Sequence, residues 1–274
     1  MTQNAVPPRP SASDARLDQL GTWLRRYDSR YGLDLASLAP ASADASFRRY
    51  FRLTGRADTA DTGANASTLI AVDAPPPEKC REFVQVAGLL ADAGVHVPRV
   101  LEADFDAGFM LVTDLGTESY LNALRDGGDD SDGGNSNART LMRDALDALI
   151  RWQLASREDV LPPFDEAFLR REMELMPEWF VGRHLNREVD DTMRGVLDRT
   201  FALLIASARA QPQVFMLRDF MPRNLMVAAA PNPVNPGVLD FQDAVYGPIT
   251  YDVAARLGAP LRGGGEELER DWLV

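Results

Sequence analysis

Three oxygen-bearing side chains in the second half of the chain have the types and spacing that phosphoryl transfer requires. Asp219 precedes Asn224 by five residues, and Asp240 follows the apolar run Gly237 to Leu239. Phosphoryl transfer needs a carboxylate that takes the proton of the attacking hydroxyl. It also needs a second carboxylate and an amide oxygen around Mg²⁺, because Mg²⁺ prefers hard oxygen ligands. We therefore predict that Asp219 is a catalytic base and that Asn224 and Asp240 are metal ligands.

The specificity of this pattern comes from its combination of motifs. An Asp followed by an Asn at this spacing is common by chance, so Asp219 and Asn224 alone predict little. The pattern becomes specific because a strand follows and ends in Leu-Asp-Phe-x-Asp-Ala, with Asp240 as its first acid. In an alternative interpretation, Asp219 and Asp240 are turn residues that cap strands. That interpretation leaves their joint spacing unexplained.

The elements that must position these residues can be read from the surrounding sequence. Two apolar runs, Asn224 to Val227 and Gly237 to Leu239, flank a loop of Ala, Pro and Asn. Such runs predict a hairpin, with Asp219 on the loop before it and Asp240 at its exit.

The first part of the chain predicts a small sheet with one packed helix. After a flexible tail, residues 1–12, a helix is expected to begin at Ser13 as its N-cap. The following strands and helix are expected at Ser46 to Leu53, Thr68 to Val72, Glu82 to Ala93 (the helix), Val97 to Leu101 and Phe109 to Thr113. Residues 13–115 therefore predict a β-rich N-lobe.

The rest of the chain, residues 116–274, predicts a helical C-lobe. Helical spacing of apolar residues is found at Leu141 to Gln153, Phe168 to Phe180 and Met193 to Ile205. Residues 126–138 are acidic and of low complexity, and they predict a disordered insertion. The fold class expected from this order of elements is α+β with two lobes.

The composition excludes some classes of partner. The formal net charge of −12 disfavours binding to nucleic acid or to anionic lipid. No stretch approaches the roughly 20 apolar residues of a membrane span, and no secretory signal is visible at the start. A single cysteine, Cys80, cannot form an internal disulfide. We expect a cytoplasmic monomer that acts on a small molecule.

The motifs resemble those of a known group of enzymes. Leu217 to Asn224 and Asp240 to Asp243 are similar to the catalytic and metal-binding motifs of the aminoglycoside and choline phosphotransferases, which have a protein-kinase-like fold. The resemblance implies ATP and Mg²⁺ as cofactors, with Asp219 as the base and Asn224 and Asp240 on the metal. Met110 to Asp114 resembles the hinge that binds adenine, which implies nucleotide contacts at Val112 and Asp114.

A narrower resemblance is to the bacterial anomeric sugar kinases. It rests on four separated blocks, which begin at Ser46, Val72, Met173 and Leu239. The resemblance implies phosphorylation of the anomeric hydroxyl of N-acetylmuramate and N-acetylglucosamine in peptidoglycan recycling. Two alternatives stay open: a kinase of another small alcohol, such as an aminoglycoside, choline or homoserine, and an inactive kinase-like module that binds nucleotide.

The sequence departs from the kinase pattern in three places. Leu217 stands where kinases usually have His or Tyr, and Asp73 ends the strand that should carry a phosphate-pairing lysine. The third departure is at 256–265, where Gly and Pro interrupt a helix of the family, so the C-lobe is expected to be truncated. The candidates for the missing cation are Arg48, Arg49 and Arg52. Ser46, in the same block, is a further candidate for contact with the nucleotide.

The acceptor site is the least defined part of the sequence. Residues close to the catalytic and metal motifs, together with one acid of the helical region, are its candidates: Glu174, Arg223, Gln242, Asp243 and Tyr246. Each of these side chains has an ordinary packing or surface role as its alternative.

Overall fold

The computed structural model describes residues 14–42, 48–56, 67–126, 132–228 and 234–257. The chain divides into two compact units, Met1–Cys80 with Arg99–Asp114, and Arg81–Pro98 with Leu115–Val274. The predicted N-lobe differs from the first unit because residues 81–98 belong to the second. The predicted tail, residues 1–12, lies outside the described residues.

A five-stranded antiparallel sheet forms the first unit, with the strand order β1-β2-β3-β5-β4. The strands are β1 (Asp34–Ser42), β2 (Arg49–Gly55), β3 (Ser67–Asp73), β4 (Val100–Asp104) and β5 (Phe109–Thr113). Strand β1 was not expected from the sequence, and it contains Pro40. An edge strand tolerates proline, since one of its sides makes no ladder hydrogen bonds, and the pairing of β1 with β2 is irregular at Pro40.

Helix α1 (Ala15–Leu24) packs on this sheet and supplies much of its core. Its N-cap is Asp14, not Ser13, and the Asp14 carboxylate accepts hydrogen bonds from the backbone N–H groups of Arg16 and Leu17, both at 3.1 Å. The shared core contains Leu20, Trp23, Leu24, Phe51, Leu53, Leu69, Phe109 and Leu111. A 3₁₀ turn at Arg25–Tyr27 and the short helix α2 (Asp28–Tyr31) lead from α1 to β1.

The second unit is mainly helical. Its helices are α3 (Cys80–Asp92), α4 (Tyr120–Asp126), α5 (Asp132–Leu154), α6 (Glu166–Leu175), a π-helix (Met176–His184), α7 (Asp191–Arg209) and α8 (Tyr251–Leu257). Residues 132–138 are helical, which differs from the predicted disorder of 126–138; residues 127–131 lie outside the described residues. The apolar stripe from Leu141 onward anchors α5 in the core, and a helix that is anchored at one end extends readily into a polar segment.

Two antiparallel ribbons complete the second unit. Strand β6 (Gln213–Met216) pairs with β9 (Val245–Pro248), and β7 (Leu225–Met226) pairs with β8 (Gly237–Val238). The second pair is the predicted hairpin, which is confirmed. Within the described residues, no helix is long and apolar enough to cross a membrane.

Candidate active site

The loop that carries Asp219 leaves β6 and is held in place by a buried acid. Asp252, in the first turn of α8, is fully buried. Its carboxylate accepts hydrogen bonds from the backbone N–H groups of Leu217 (2.7 Å) and Arg218 (2.9 Å). Arg218 has a φ of 74°, a left-handed conformation that side chains rarely adopt. The strained backbone just before Asp219 is therefore stabilised from outside the loop, as is common at functional sites.

Burial and neighbouring charge make Asp219 a stronger base than an ordinary aspartate. Burial raises the pKa of Asp219, and the negative charge of Asp240 raises it further, while the positive charges of Arg218 and Arg223 oppose the shift. A raised pKa brings a carboxylate closer to the range in which it takes a proton efficiently at neutral pH.

Asn224 and Asp240 meet beside this base. The Asn224 Nδ2 donates to the backbone oxygen of Asp219 (2.9 Å) and to Oδ2 of Asp240 (3.4 Å). Leu239 N–H donates to the backbone oxygen of Asn224 (2.9 Å), which links the exit of the hairpin to its entry. Asp240 itself has a φ of 58°. The three predicted residues therefore form one cluster, on a backbone that is left-handed at Asp240 and at Arg218, the residue before Asp219.

Gln242 supports Asp240 and is itself incompletely satisfied. Its Nε2 donates to Oδ1 of Asp240 at 2.8 Å, which fixes the orientation of the amide because a carboxylate only accepts. Its Oε1 is buried and has no hydrogen-bond donor. A buried acceptor without a donor is uncommon in proteins and often marks a place where a ligand or an ion belongs.

The donor set at this cluster suits Mg²⁺. Carboxylate and amide oxygens come from Asp240 and Asn224, and the unsatisfied oxygen of Gln242 lies next to them. In the described ranges, no group of three or more His, Cys, Asp or Glu side chains has the arrangement of a metal site. Such a group is not needed here, because Mg²⁺ commonly takes only one or two protein carboxylates and completes its shell with water and phosphate oxygens.

The remaining acceptor-site candidates separate into two groups. Arg223 is exposed next to Asn224, and the charge of Asp243 acts on Asp219, so both belong to the cluster. Tyr246 lies in β9, where its ring packs edge-on against Phe215 at 6.3 Å. Glu174 pairs with Arg170 of the same helix (3.0 Å) and with Arg194 (2.9 Å), and the second ion pair joins α6 to α7.

In the first unit, the unexpected Asp73 of β3 has a structural role. It is only 1% exposed and accepts hydrogen bonds from Arg49 (2.6 Å) and from Arg16. Arg16 also donates to the backbone oxygen of Ala107 (2.9 Å), and Arg49 also pairs with Asp14. This ionic cluster ties α1 to β2 and β3, which explains an acid at the position where kinases have lysine.

The other predicted nucleotide contacts of the first unit also have partners. Arg52 forms a two-pronged ion pair with Asp114 (2.5 and 3.0 Å), and the Thr68 hydroxyl donates to the same carboxylate (2.6 Å). Arg48 is 8% exposed and pairs with Glu78 (2.7 Å), just before α3. Val112 is buried in β5, and Ser46 lies outside the described residues.

Sequence reasoning missed one functional residue, Asp252. The sequence at Tyr251 to Ala254 indicated only the start of a helix. An acid among apolar neighbours was the available signal, but nothing local pairs it with a loop more than thirty residues upstream. Both histidines make ordinary packing or backbone contacts: the backbone oxygen of His96 accepts a hydrogen bond from the backbone N–H of Val238 (2.8 Å), and the ring of His184 stacks on Phe180.

Comparisons with known proteins show which family this chain resembles. The model of a phosphotransferase enzyme family matches residues 37–271. An N-acetylmuramate/N-acetylglucosamine kinase from Pseudomonas aeruginosa is 48% identical over 250 residues, which cover 88% of this chain and 68% of the relative. A protein of the same name from Neisseria meningitidis is 38% identical over 257 residues, which cover 93% of this chain and 70% of the relative.

Solved structures share the fold at low sequence identity. Aminoglycoside phosphotransferase APH(2'')-Ib, solved with ADP bound, has a TM-score of 0.59 at 14% identity, over 96% of this chain and 81% of its own. Aminoglycoside 2'-phosphotransferase-IIIa, solved as a GDP complex, has a TM-score of 0.56 at 14% identity, over 92% of this chain and 81% of its own. The predicted α+β, protein-kinase-like fold is confirmed. On the family match and the two kinases above, this chain is an enzyme that belongs to the phosphotransferase enzyme family.

Proposed function

We propose that this enzyme transfers the γ-phosphoryl group of ATP to the anomeric hydroxyl of N-acetylmuramate and N-acetylglucosamine. The observation that carries the proposal is the cluster of Asp219, Asn224 and Asp240, in a chain that is 48% identical to a kinase named for these two sugars. Both sugars are released when the cell wall is broken down, so the reaction belongs to peptidoglycan recycling. We expect a monomer that acts in the cytoplasm, where ATP is available.

In the proposed mechanism, Asp219 orients the acceptor hydroxyl and takes its proton as the oxygen attacks phosphorus. The raised pKa of Asp219 favours this step, and Asp252 keeps the carboxylate in place through the backbone of Leu217 and Arg218. Arg223, exposed beside Asn224, is the candidate to meet the negative charge of the transferred group. Most of the rate enhancement comes from positioning and charge, because phosphoryl transfer needs little covalent help from the protein.

Asn224 and Asp240 would hold Mg²⁺. When bound, the ion neutralises phosphate charge and orients the nucleotide. The Gln242 amide keeps the Asp240 carboxylate in a fixed rotation through its 2.8 Å hydrogen bond. Two of the acceptor candidates, Gln242 and Asp243, follow Asp240 closely enough to reach an acceptor hydroxyl as well.

Arg48 is the best candidate for the cation that replaces the missing lysine. Arg49 serves the Asp73 cluster, and Arg52 holds Asp114. Arg48 is the most buried of the three and pairs with Glu78, just before the helix that follows β3. Kinases place a lysine–glutamate pair near this helix to bind phosphates.

The adenine is expected to contact the backbone of β5 near Val112 and Asp114. The Asp114 side chain is occupied by Arg52 and Thr68, so only backbone groups are left for the base there. The aminoglycoside, choline and homoserine alternatives are less well supported, since both relatives described above are named as sugar kinases.

The test is transfer from ATP with Mg²⁺ to each of the two sugars, with wild type compared with Asp219→Asn. Removal of a general base is expected to lower the rate at least about a hundredfold. Asp191→Asn is a matched control, because Asp191 is an acid in the first turn of α7 with no contact to the cluster. A wild type that makes no sugar phosphate, or an Asp219→Asn variant at wild-type rate, would contradict the proposal.

A further inference from the structure

An exposed aromatic surface lies on the π-helix that follows α6. Trp179 and Phe180 are each 52% exposed, although large aromatic side chains are usually buried. Leu175, Met176 and Leu185 beside them are exposed to a similar degree. π-Helical turns are rare and are frequent at functional sites. We call Trp179, Phe180 and Arg183 the aromatic platform.

A cation is fixed on this platform. The Arg183 guanidinium lies over the Trp179 ring, 3.8 Å from its centroid. Its one ion pair within the described residues is with Glu178, at 3.3 Å, and both side chains of that pair are more than half exposed. Exposed pairs of this kind are weak and exchange easily with a ligand. Stacking on the indole restricts the guanidinium, so an incoming anion meets a donor that is already oriented.

The platform continues directly from α6, and α6 contacts the residue next to Asp219. Arg218, next to Asp219, donates to Glu172 of α6 at 3.2 Å and lies over the Phe168 ring at 4.9 Å. Trp179 follows Glu172 by seven residues, which is on the order of 10 Å along a helix. That rise is similar to the length of a monosaccharide with one extended substituent.

The chemistry of the platform fits one of the two proposed acceptors better than the other. N-acetylmuramate carries a 3-O-lactyl carboxylate that N-acetylglucosamine lacks. An aromatic face binds the apolar side of a pyranose or its acetamido methyl, and a guanidinium binds a carboxylate through paired N–H groups. A chain with a net charge of −12 needs a local cation to attract an anionic sugar, and Arg183 supplies one.

We infer that the aromatic platform binds the acceptor sugar, with Trp179 stacking on both sugars and Arg183 pairing with the lactyl carboxylate of N-acetylmuramate alone. This inference rests on the proposed function and assigns Arg183 as its specificity-determining residue. Glu178 holds the guanidinium in the free enzyme and yields it to the substrate.

The experiment compares Arg183→Met and Trp179→Ala with wild type on both sugars. Methionine keeps the apolar stem of arginine and removes its charge. Arg183→Met is expected to raise KM for N-acetylmuramate about tenfold and to leave N-acetylglucosamine unchanged, because only the former loses a charged hydrogen bond. Trp179→Ala is expected to weaken the binding of both sugars about fivefold. Arg209→Met is the matched control, since Arg209 is an equally exposed arginine paired with Glu166.

Sugar binding without nucleotide, measured by titration calorimetry, separates this inference from the proposed function. If wild type transfers phosphate and Arg183→Met affects both sugars equally or neither, the inference is wrong and the function stands. If wild type binds both sugars with an Arg183-dependent preference but transfers nothing, the function is wrong and the inference stands. If wild type neither binds nor phosphorylates either sugar, both are wrong. Melting temperatures of all variants identify any that fail to fold.

Discussion

Two acidic sites of this protein differ in how their charge is balanced. Asp73 in the first unit is buried and accepts from two arginines. Asp219 and Asp240 in the second unit act on each other as like charges, and no Lys or Arg among the described residues forms an ion pair with either. The backbone is relaxed at Asp73 and left-handed at Arg218 and Asp240. Asp73, which is paired with two arginines, has a structural role, whereas Asp219 and Asp240, which have no ion pair among the described residues, are available for chemistry.

The first prediction tests this contrast through stability. Asp73→Asn should lower the free energy of unfolding by about 4 kcal/mol, because it leaves Arg16 and Arg49 without a counter-charge in a partly buried site. Asp219→Asn should raise the same free energy slightly, because it removes a buried charge that repels Asp240. Urea titration of both variants measures the two effects. Equal destabilisation by both substitutions would remove the distinction between a structural and a chemical acid.

Much of the second site could be predicted from sequence because its residues are close along the chain. Asp219, Asn224 and Asp240 are joined by one hairpin, and the apolar runs on either side of the loop fix its pairing. The contacts that complete the site depend on distant segments. Asp252 accepts hydrogen bonds from backbone N–H groups of the Asp219 loop. Because every residue except proline has such a group, the residue types of the loop do not predict this contact.

The first unit was harder to predict because its charge pairs join residues far apart. The three arginines of one block were candidates for the same missing cation, yet they pair with different acids. Arg48 pairs with Glu78, Arg49 with Asp73 and Asp14, and Arg52 with Asp114. The two-residue period of a strand separates its faces but does not say which acid each face meets. The partner of Arg49 is set by the register of β2 on β3, where Arg49 is opposite Asp73.

A second prediction concerns pH and the acid that braces the catalytic loop. Burial raises the pKa of Asp252 from 3.8 to about 6. Because the folded-state pKa is raised, the folded protein binds this proton more tightly than the unfolded chain. The stability from this proton is therefore present below about pH 4 and is lost as the pH rises to about 6, a total of about 2–3 kcal/mol.

Asp252→Asn removes this titration, so it isolates the effect. The difference in unfolding free energy between wild type and the variant should change across pH 4 to 6 and be flat above it, as measured by denaturant titration at each pH. The variant should also lose phosphoryl transfer, since an amide oxygen and an amide nitrogen cannot both accept the N–H groups of Leu217 and Arg218. If the difference in unfolding free energy between wild type and Asp252→Asn does not vary with pH, the pKa of Asp252 is not raised in the folded protein.

The third prediction separates the three arginines of the first unit. Arg48→Met should weaken ATP binding about thirtyfold, because a charged hydrogen bond to phosphate is lost and Glu78 is left unpaired. Arg52→Met is the matched control: it should lower stability through Asp114 while leaving ATP affinity much closer to wild type. Calorimetric titration with a non-hydrolysable ATP analogue measures both. An unchanged affinity in Arg48→Met would assign phosphate binding to another group.

The smallest effect is expected at Gln242, which is neither a clearly structural nor a clearly chemical residue. It donates to Asp240, the proposed metal ligand, and keeps one buried oxygen without a donor, so it resembles Asp219 and Asp240 more than Asp73.

Gln242→Leu should weaken Mn²⁺ binding in the presence of a non-hydrolysable ATP analogue about tenfold, as loss of a residue that orients a ligand usually does. Electron paramagnetic resonance of free Mn²⁺ gives the affinity directly and does not depend on turnover. Gln85→Leu is the control, because among the described residues the Gln85 side chain bonds only to the backbone of Val160. The prediction is wrong if Gln242→Leu binds Mn²⁺ as wild type does. If that variant also loses sugar transfer, the unsatisfied Oε1 accepts from the acceptor hydroxyl, and Asn224 and Asp240 bind the metal without the hydrogen bond from Gln242.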